Sequence, residues 1–169
     1  MKFLIVVDMQ VDFITGSLGS ALAKALVPNV VKKVENFDGT VIFTRDTHLS
    51  NYLDTQEGKK LPVKHCIKDT QGWEICDELK PYVKTVVDKP TFGSIELPSL
   101  IKGYNQGVEE IQLCGLCTDI CVISNAMVLK ASFPEAKIVV DASCSAGATK
   151  ESHDTALKAM QAVQIEILT

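Results

Sequence analysis

Short, uninterrupted apolar runs alternate along this chain with longer stretches whose apolar positions recur at helical spacing. Residues 2–7, 40–44, 83–87, 110–114, 137–140 and 164–168 are short and rich in β-branched side chains. They lack strict polar alternation, as strands covered on both faces should. Between them, residues 20–36 place Ala21, Leu22, Ala25, Leu26, Val30, Val31 and Val34 on a helical period, with Pro28 inside the run. A proline there predicts a kink or a split. Residues 118–132 open on Thr118-Asp119 and residues 149–163 on Thr149, both suitable helix starts. Shorter helices are predicted over 72–80 and 95–103. Strand and helix in alternation imply an α/β fold, with a mostly parallel sheet between helical layers. Residues 47–71 break this rhythm, being polar and irregular. A long loop inside a compact domain is usually functional.

Composition narrows the function. The chain has 169 residues, enough for one domain with a full core, and contains no repeat or linker. Its net charge of −4 speaks against nucleic acid as a partner, since phosphate binding needs a basic face. No apolar run is long enough to span a membrane. The apolar start ends at Asp8, too soon for a signal peptide. A cytoplasmic protein is therefore expected, and in that setting the six cysteines are not expected to pair.

In open parallel sheets, sites form at the carboxyl ends of the strands. Asp8 follows the first predicted strand and Asp46-Thr47-His48 the second. Asp88-Lys89 follows the third, and Gly115-Leu116-Cys117-Thr118-Asp119-Ile120-Cys121 the fourth. Cys121 falls in the first turn of a helix capped by Thr118, where free N–H groups and the helix dipole favour a thiolate and an oxyanion. Asp8 is placed to accept its proton and Lys89 to balance the charges. The bland alternative is that Cys121 is a small core hydrophobe and Asp8 a turn residue. Asp141, after the fifth strand, is read as a turn residue. Cys114 and Cys117 form a C-x-x-C, which leaves a redox or metal-binding thiol module as a distant alternative. Asp46, His48 and His65 make a sound ligand set for a divalent transition metal, set against a surface loop that holds two histidines by chance. Glu57, between the histidines, could add a carboxylate but is read as a solvated loop glutamate; His153 is read as structural, with no partner in view.

The motifs quoted next carry a resemblance over nearly the whole length. Val7-Asp8-Met9-Gln10-Val11-Asp12-Phe13, Thr44-Arg45-Asp46-Thr47-His48 and Pro62-Val63-Lys64-His65-Cys66 are the first three. Thr70-Gln71-Gly72-Trp73-Glu74-Ile75, Val87-Asp88-Lys89-Pro90-Thr91-Phe92 and the run from Gly115 to Val122 follow in order. Together they resemble the isochorismatase-like cysteine hydrolases, and within them the nicotinamidase/pyrazinamidase members.

The resemblance implies a three-layer α/β/α fold whose six-stranded parallel sheet runs 3-2-1-4-5-6. It implies an Asp8, Lys89, Cys121 triad and a metal on Asp46, His48 and His65, zinc first, with manganese or iron as alternatives. It further implies a cis peptide at Leu116-Cys117 and an oxyanion held by the N–H groups of Cys117 and Cys121. The expected reaction is amide hydrolysis through a thioester, taking nicotinamide to nicotinate and ammonia. Another amide, ureido or carbamoyl hydrolase of the family is the alternative; an isochorismatase proper, acting on a vinyl ether, would not need the cysteine. Phe13 matches the ring-clasping aromatic best, ahead of Trp73 and Tyr52. Cys117 stands where the family usually has a smaller residue such as alanine. The expected partners are a small-molecule amide and further copies of the chain, as a dimer or larger homo-oligomer.

Overall fold

A computed structural model describes residues 1–169. The first apolar run forms β1 (Lys2–Val7), followed by a single turn, α1 (Val11–Ile14), and the long α2 (Ala21–Asn36). Next come β2 (Thr40–Asp46), α3 (Gln56–Lys60), β3 (Val86–Lys89), α4 (Glu96–Lys102) and β4 (Glu110–Leu116). A wide π-type turn (Thr118–Val122) leads into α5 (Ile123–Ser132), and β5 (Lys137–Ala146), α6 (Lys150–Ala162) and β6 (Glu166–Leu168) complete the chain. All strand pairs are parallel, in the order β3-β2-β1-β4-β5-β6. The order reverses between β1 and β4, which is where such sheets open a crevice.

β1 shows why the runs read as they do. Phe3, Ile5 and Val7 point into one apolar cluster with Leu97 and Ile101 of α4, Ala126 and Leu129 of α5, and Met160 of α6. Leu4 and Val6 point into the other, with Leu26, Val30 and Val34 of α2. Period-two alternation between two dry faces leaves no position for a polar residue. No helix is long and apolar enough to cross a membrane.

Several boundaries differ from the sequence expectation. α2 is continuous through Pro28. That residue is exposed, so the carbonyl it leaves without a donor can turn to water. The predicted helix 72–80 does not form. Its Ile75, Cys76 and Leu79 reach the α2-side core from an irregular segment, because Val11 N–H bonds Glu74 O and Cys76 N–H bonds Met9 O instead. The third strand lies at Val86–Lys89 rather than 83–87, drawn along by pairing of Asp46 with Lys89.

The helical stretch does begin at Thr118 and end at Ser132, as expected, but Thr118 does not cap it. The N-cap is Cys117, with no side-chain cap; its carbonyl accepts from Ile120 and Val122 N–H, both at 3.0 Å. Thr118 Oγ1 instead meets His153 Nδ1 at 2.8 Å, and Asp119 Oδ1 accepts from Ala148 N–H at 3.0 Å. Thr149 does cap α6, in a capping box with Ser152. Gly115, at φ +116°, lies so close to β1 that a Cβ would collide with the carbonyl oxygen of Val7.

Candidate active site

Four strand ends meet at one crevice. Asp8, in the turn after β1, has a left-handed φ of 48°, uncommon for a residue with a Cβ. Thr44 of β2 holds it twice, donating from Oγ1 to Asp8 Oδ1 at 2.6 Å and accepting Asp8 N–H at 3.3 Å. Lys89, at the end of β3, reaches across: its Nζ is 2.6 Å from Asp8 Oδ2, 3.5 Å from Cys121 Sγ and 3.6 Å from Asp46 Oδ1. Nζ also donates to the carbonyl of Thr91 at 3.2 Å. Asp8 and Lys89 are fully shielded from bulk water.

Their electrostatics follow from that burial. Desolvation raises the Asp8 pKa, with the Lys89 charge pulling against it. Burial would lower the Lys89 pKa, but Asp8, Cys121 and Asp46 outweigh it, and the amine stays an ammonium. Burial and the Asp8 carboxylate hold the Cys121 thiol well above its usual range, so the resting sulfur is protonated. With Asp8 and Lys89 ionised and the thiol neutral, the trio carries no net charge. Moving the thiol proton to Asp8 keeps that sum at zero and leaves the thiolate beside an ammonium.

The second cluster forms because the 47–71 segment doubles back. His48 N–H bonds Cys66 O at 3.0 Å and Lys68 N–H bonds His48 O at 2.8 Å, which brings His65 beside His48. Asp12 Oδ2 accepts Cys66 N–H, and the buried Gln10 side chain binds both the N–H and the carbonyl of Asp46. Asp46, His48, His65 and also Glu57 each offer a ligand atom, all within 4.8 Å of one another. Glu57 is therefore no solvated loop glutamate: the short α3 turns it onto the histidines, 3.5 Å from His48 Nε2 and 3.7 Å from His65 Nε2. Tyr52, fully buried, packs its ring against both imidazoles from behind.

These residues fit a divalent metal. His65 Nδ1 lies 2.8 Å from the carbonyl of Val63, which can only accept, so Nδ1 carries the hydrogen and Nε2 is aimed at the cluster. Asp46 Oδ1 is buried without a hydrogen-bond partner. Burial would raise the Asp46 pKa, yet hydrogen bonds from both histidines and the Lys89 charge hold it well below the usual carboxylate range. Two imidazoles and two carboxylates suit a transition metal of zinc type.

Both clusters open onto one cavity of about 280 Å³. Cys121, Asp46, His65 and Glu57 supply its reactive end, and Phe13, Leu18, Leu61, Phe92 and Ile120 supply apolar walls. No lysine or arginine lines it. Phe13 sits 5.5 Å from the His65 ring. Trp73 does not line the cavity; it donates from Nε1 to Thr47 Oγ1 and stacks under Arg45. Tyr52 likewise stays behind the histidines. The Leu116–Cys117 peptide is cis, at the cavity wall.

The remaining cysteines and the decoys resolve plainly. All six thiols are free. Cys114 lies wholly in the core while Cys117 faces the cavity, and no metal-holding group forms around them. Asp141 is not the turn residue expected: it lies within β5, paired with Leu168 of β6, and its carboxylate accepts from Ser143 and Cys144 and from Lys33. His153 is not unpartnered, since Thr118 meets it. Thr44, Gln10 and Asn125 were not marked as site residues by sequence. Thr44 and Gln10 stood inside quoted motifs, a signal that could have found them.

Residues 2–169 match the isochorismatase domain family. The nicotinamidase of Schizosaccharomyces pombe is 25% identical over 98% of this chain and 92% of its own. The nicotinamidase/pyrazinamidase of Mycobacterium tuberculosis is 23% identical over 99% and 98%. Among solved structures, the nicotinamidase/pyrazinamidase of Bacillus subtilis superposes with a TM-score of 0.81 at 26% identity, covering 99% of both chains. A pyrazinamidase of Pyrococcus horikoshii, solved in complex with zinc, shares the fold at a TM-score of 0.83 and 23% identity, over 99% of this chain and 98% of its own.

Proposed function

The chain belongs to the isochorismatase domain family, and from that premise we propose that it is a cysteine-nucleophile amidohydrolase of the nicotinamidase kind. The observation that carries the reading is the buried contact of Lys89 with both Asp8 and Cys121, at the floor of an apolar-walled cavity. Asp8 takes the thiol proton and the Cys121 sulfur attacks the amide carbonyl carbon. Lys89 pairs with the charge left on sulfur. The N–H groups of Cys117 and Cys121 hold the tetrahedral oxyanion. Protonated Asp8 returns its proton to the departing amine, which leaves as ammonia. Asp8 then takes a proton from a water whose oxygen attacks the thioester carbon; the C–S bond breaks, the acid leaves, and Asp8 returns the proton to the Cys121 sulfur.

Asp46, His48, His65 and Glu57 would hold a divalent ion, zinc by donor type. Such an ion supplies a Lewis acid that fixes a ring nitrogen or a water at the cavity's end. The chain's own residues do the rest of the positioning. Phe13 and Phe92 line the cavity with aromatic surface suited to a small planar ring. A lining without lysine or arginine favours a neutral aromatic amide over a ureido or carbamoyl compound that carries its own carboxylate.

Ammonia release from nicotinamide, beside a panel of small amides and ureido compounds, tests the reading. Turnover of nicotinamide is expected from the wild type and a loss of about a thousandfold or more from Cys121→Ala. Equal ammonia release by the two proteins would refute the nucleophile.

A further inference from the structure

The carboxamide of Asn125, fully buried in the first turn of α5, joins two parts of the site that no strand pairing connects. Its Nδ2 donates to the carbonyl of Cys121 at 2.8 Å and to that of Phe92 at 3.1 Å, while its Oδ1 accepts from Ser94 N–H at 2.9 Å. Two carbonyls can only accept and an N–H can only donate, so the amide fits one way round. The tethered segment, residues 90–95, leaves the edge strand β3 directly after Lys89. β2 and β1 separate β3 from β4, so this segment must cross the strand tips to reach α5. It carries the Thr91 carbonyl that accepts from Lys89 and the Phe92 ring that walls the cavity. Gly93 allows the approach, since even a Cβ there would lie 3.3 Å from Ser124 O.

We infer that Asn125 is a positioning residue for the nucleophile: one buried amide holds the Cys121 turn, the segment behind Lys89 and the Phe92 wall in a single register. The inference rests on the cysteine-hydrolase reading above. Nothing in Asn125 touches the cavity, so it acts through the groups it holds. A shift of about 1 Å between reacting groups can cost about a hundredfold in rate, and such a shift is what losing the amide permits. A residue that merely filled the helix entry would alter the yield of folded protein and not the turnover of each folded site.

Two variants separate these roles. Asn125→Asp keeps the size and the acceptor for Ser94 but turns a carboxylate oxygen toward two carbonyls; Asn125→Ala removes every bond. Ser94→Ala is the control. It deletes the Oγ that accepts Leu97 N–H at the start of α4, and it keeps the backbone N–H that Asn125 uses. Ammonia release from nicotinamide is measured as kcat and KM, normalised to Cys121 alkylated by iodoacetamide and counted by mass spectrometry, with the thermal midpoint beside it. kcat per titrated Cys121 is expected to fall about tenfold or more in both Asn125 variants, with KM changed less than about threefold. Ser94→Ala is expected to lower the midpoint and leave kcat within about twofold. If Asn125→Ala does not fold, Asn125→Asp decides. A kcat per titrated site within about twofold of wild type in the folded Asn125 variants overturns the inference. If the wild type releases ammonia from no amide, the parent reading fails. The alkylation rate of Cys121 then decides for Asn125: equal rates in wild type and Asn125→Asp overturn it, and a rate changed more than about threefold supports it.

Discussion

At the scale of single residues, the proposed chemistry rests on a buried carboxylate, ammonium and thiol that the fold brings together. Asp8 is the member whose change is most informative. Asp8→Asn removes the proton acceptor and leaves Lys89 without its partner at 2.6 Å. Turnover of the amide is expected to fall about a hundredfold or more, measured as kcat on the folded variant, and an unchanged kcat would contradict the assigned role. Asp8, Lys89, Cys121, Asp46, His48 and His65 were legible as candidates because each stands inside a motif; Asp8, Asp46, His48 and Lys89 lie at or just past strand ends, Cys121 follows β4 in the π-type turn, and His65 returns from the long loop. Glu57 was only half legible: its place between the histidines allows a further carboxylate, but nothing in a polar loop without a motif shows that α3 will turn it onto them. Thr44 and Asn125 escaped for a related reason: a buried residue that bonds a neighbour's backbone or carboxylate leaves no periodic trace. The cap assigned to Thr118 failed because Thr118 is the first residue of the wide turn, with Cys117 in the N-cap position, and its hydroxyl goes to His153 instead.

At the scale of elements, the strands were legible as apolar runs, and their ends shifted where pairing rewards extension. β5 is the clearest case. It runs on past 140 through an irregular stretch in which Leu113 faces Val140 but Gly115 faces Ser145. Asp141 organises that stretch. Burial would raise its pKa, but the hydrogen bonds from Lys33 and Ser143 outweigh it and hold the carboxyl below the usual range. A folded pKa below the unfolded one means that this stability is present above about pH 4 and is lost as the pH falls through the folded value. Asp141→Asn is therefore expected to cost about 1–3 kcal/mol near pH 6, with the gap to wild type narrowing toward pH 3, read from urea unfolding at each pH. A gap that stays constant across that range would contradict the assignment. The 72–80 helix was misread because Ile75, Cys76 and Leu79 mimic a helical stripe, while their neighbours' backbone bonds go to Met9 and Val11. Pro28 leaves α2 unbroken because it stands on the helix's exposed side, a tertiary fact that the apolar pattern does not carry.

At the scale of the whole molecule, the sheet order places β3, β2, β1 and β4 side by side, and with them Lys89, Asp46, Asp8 and the turn that carries Cys121, while the long loop and α3 bring in His65 and Glu57. Alternation of strands and helices established a parallel sheet; the order itself came from the resemblance, since apolar runs alone do not rank neighbours. The metal-ligand cluster joins the end of β2 to the long loop, so a bound ion should brace the molecule as well as serve the site. Zinc at a hundred times its dissociation constant is expected to add about 2.7 kcal/mol, seen as a rise in thermal midpoint. His48→Ala should abolish most of that rise and lower the metal content found by elemental analysis. An equal rise in both proteins would place the ion elsewhere.

The most direct measurement is on the sulfur itself. Wild-type protein turning over nicotinamide, quenched in acid and digested, should yield the peptide containing Cys121 with the acyl group of the substrate attached as a thioester, sensitive to hydroxylamine. Ammonia release without that adduct, and undiminished when the cysteine is replaced by alanine, would contradict the account.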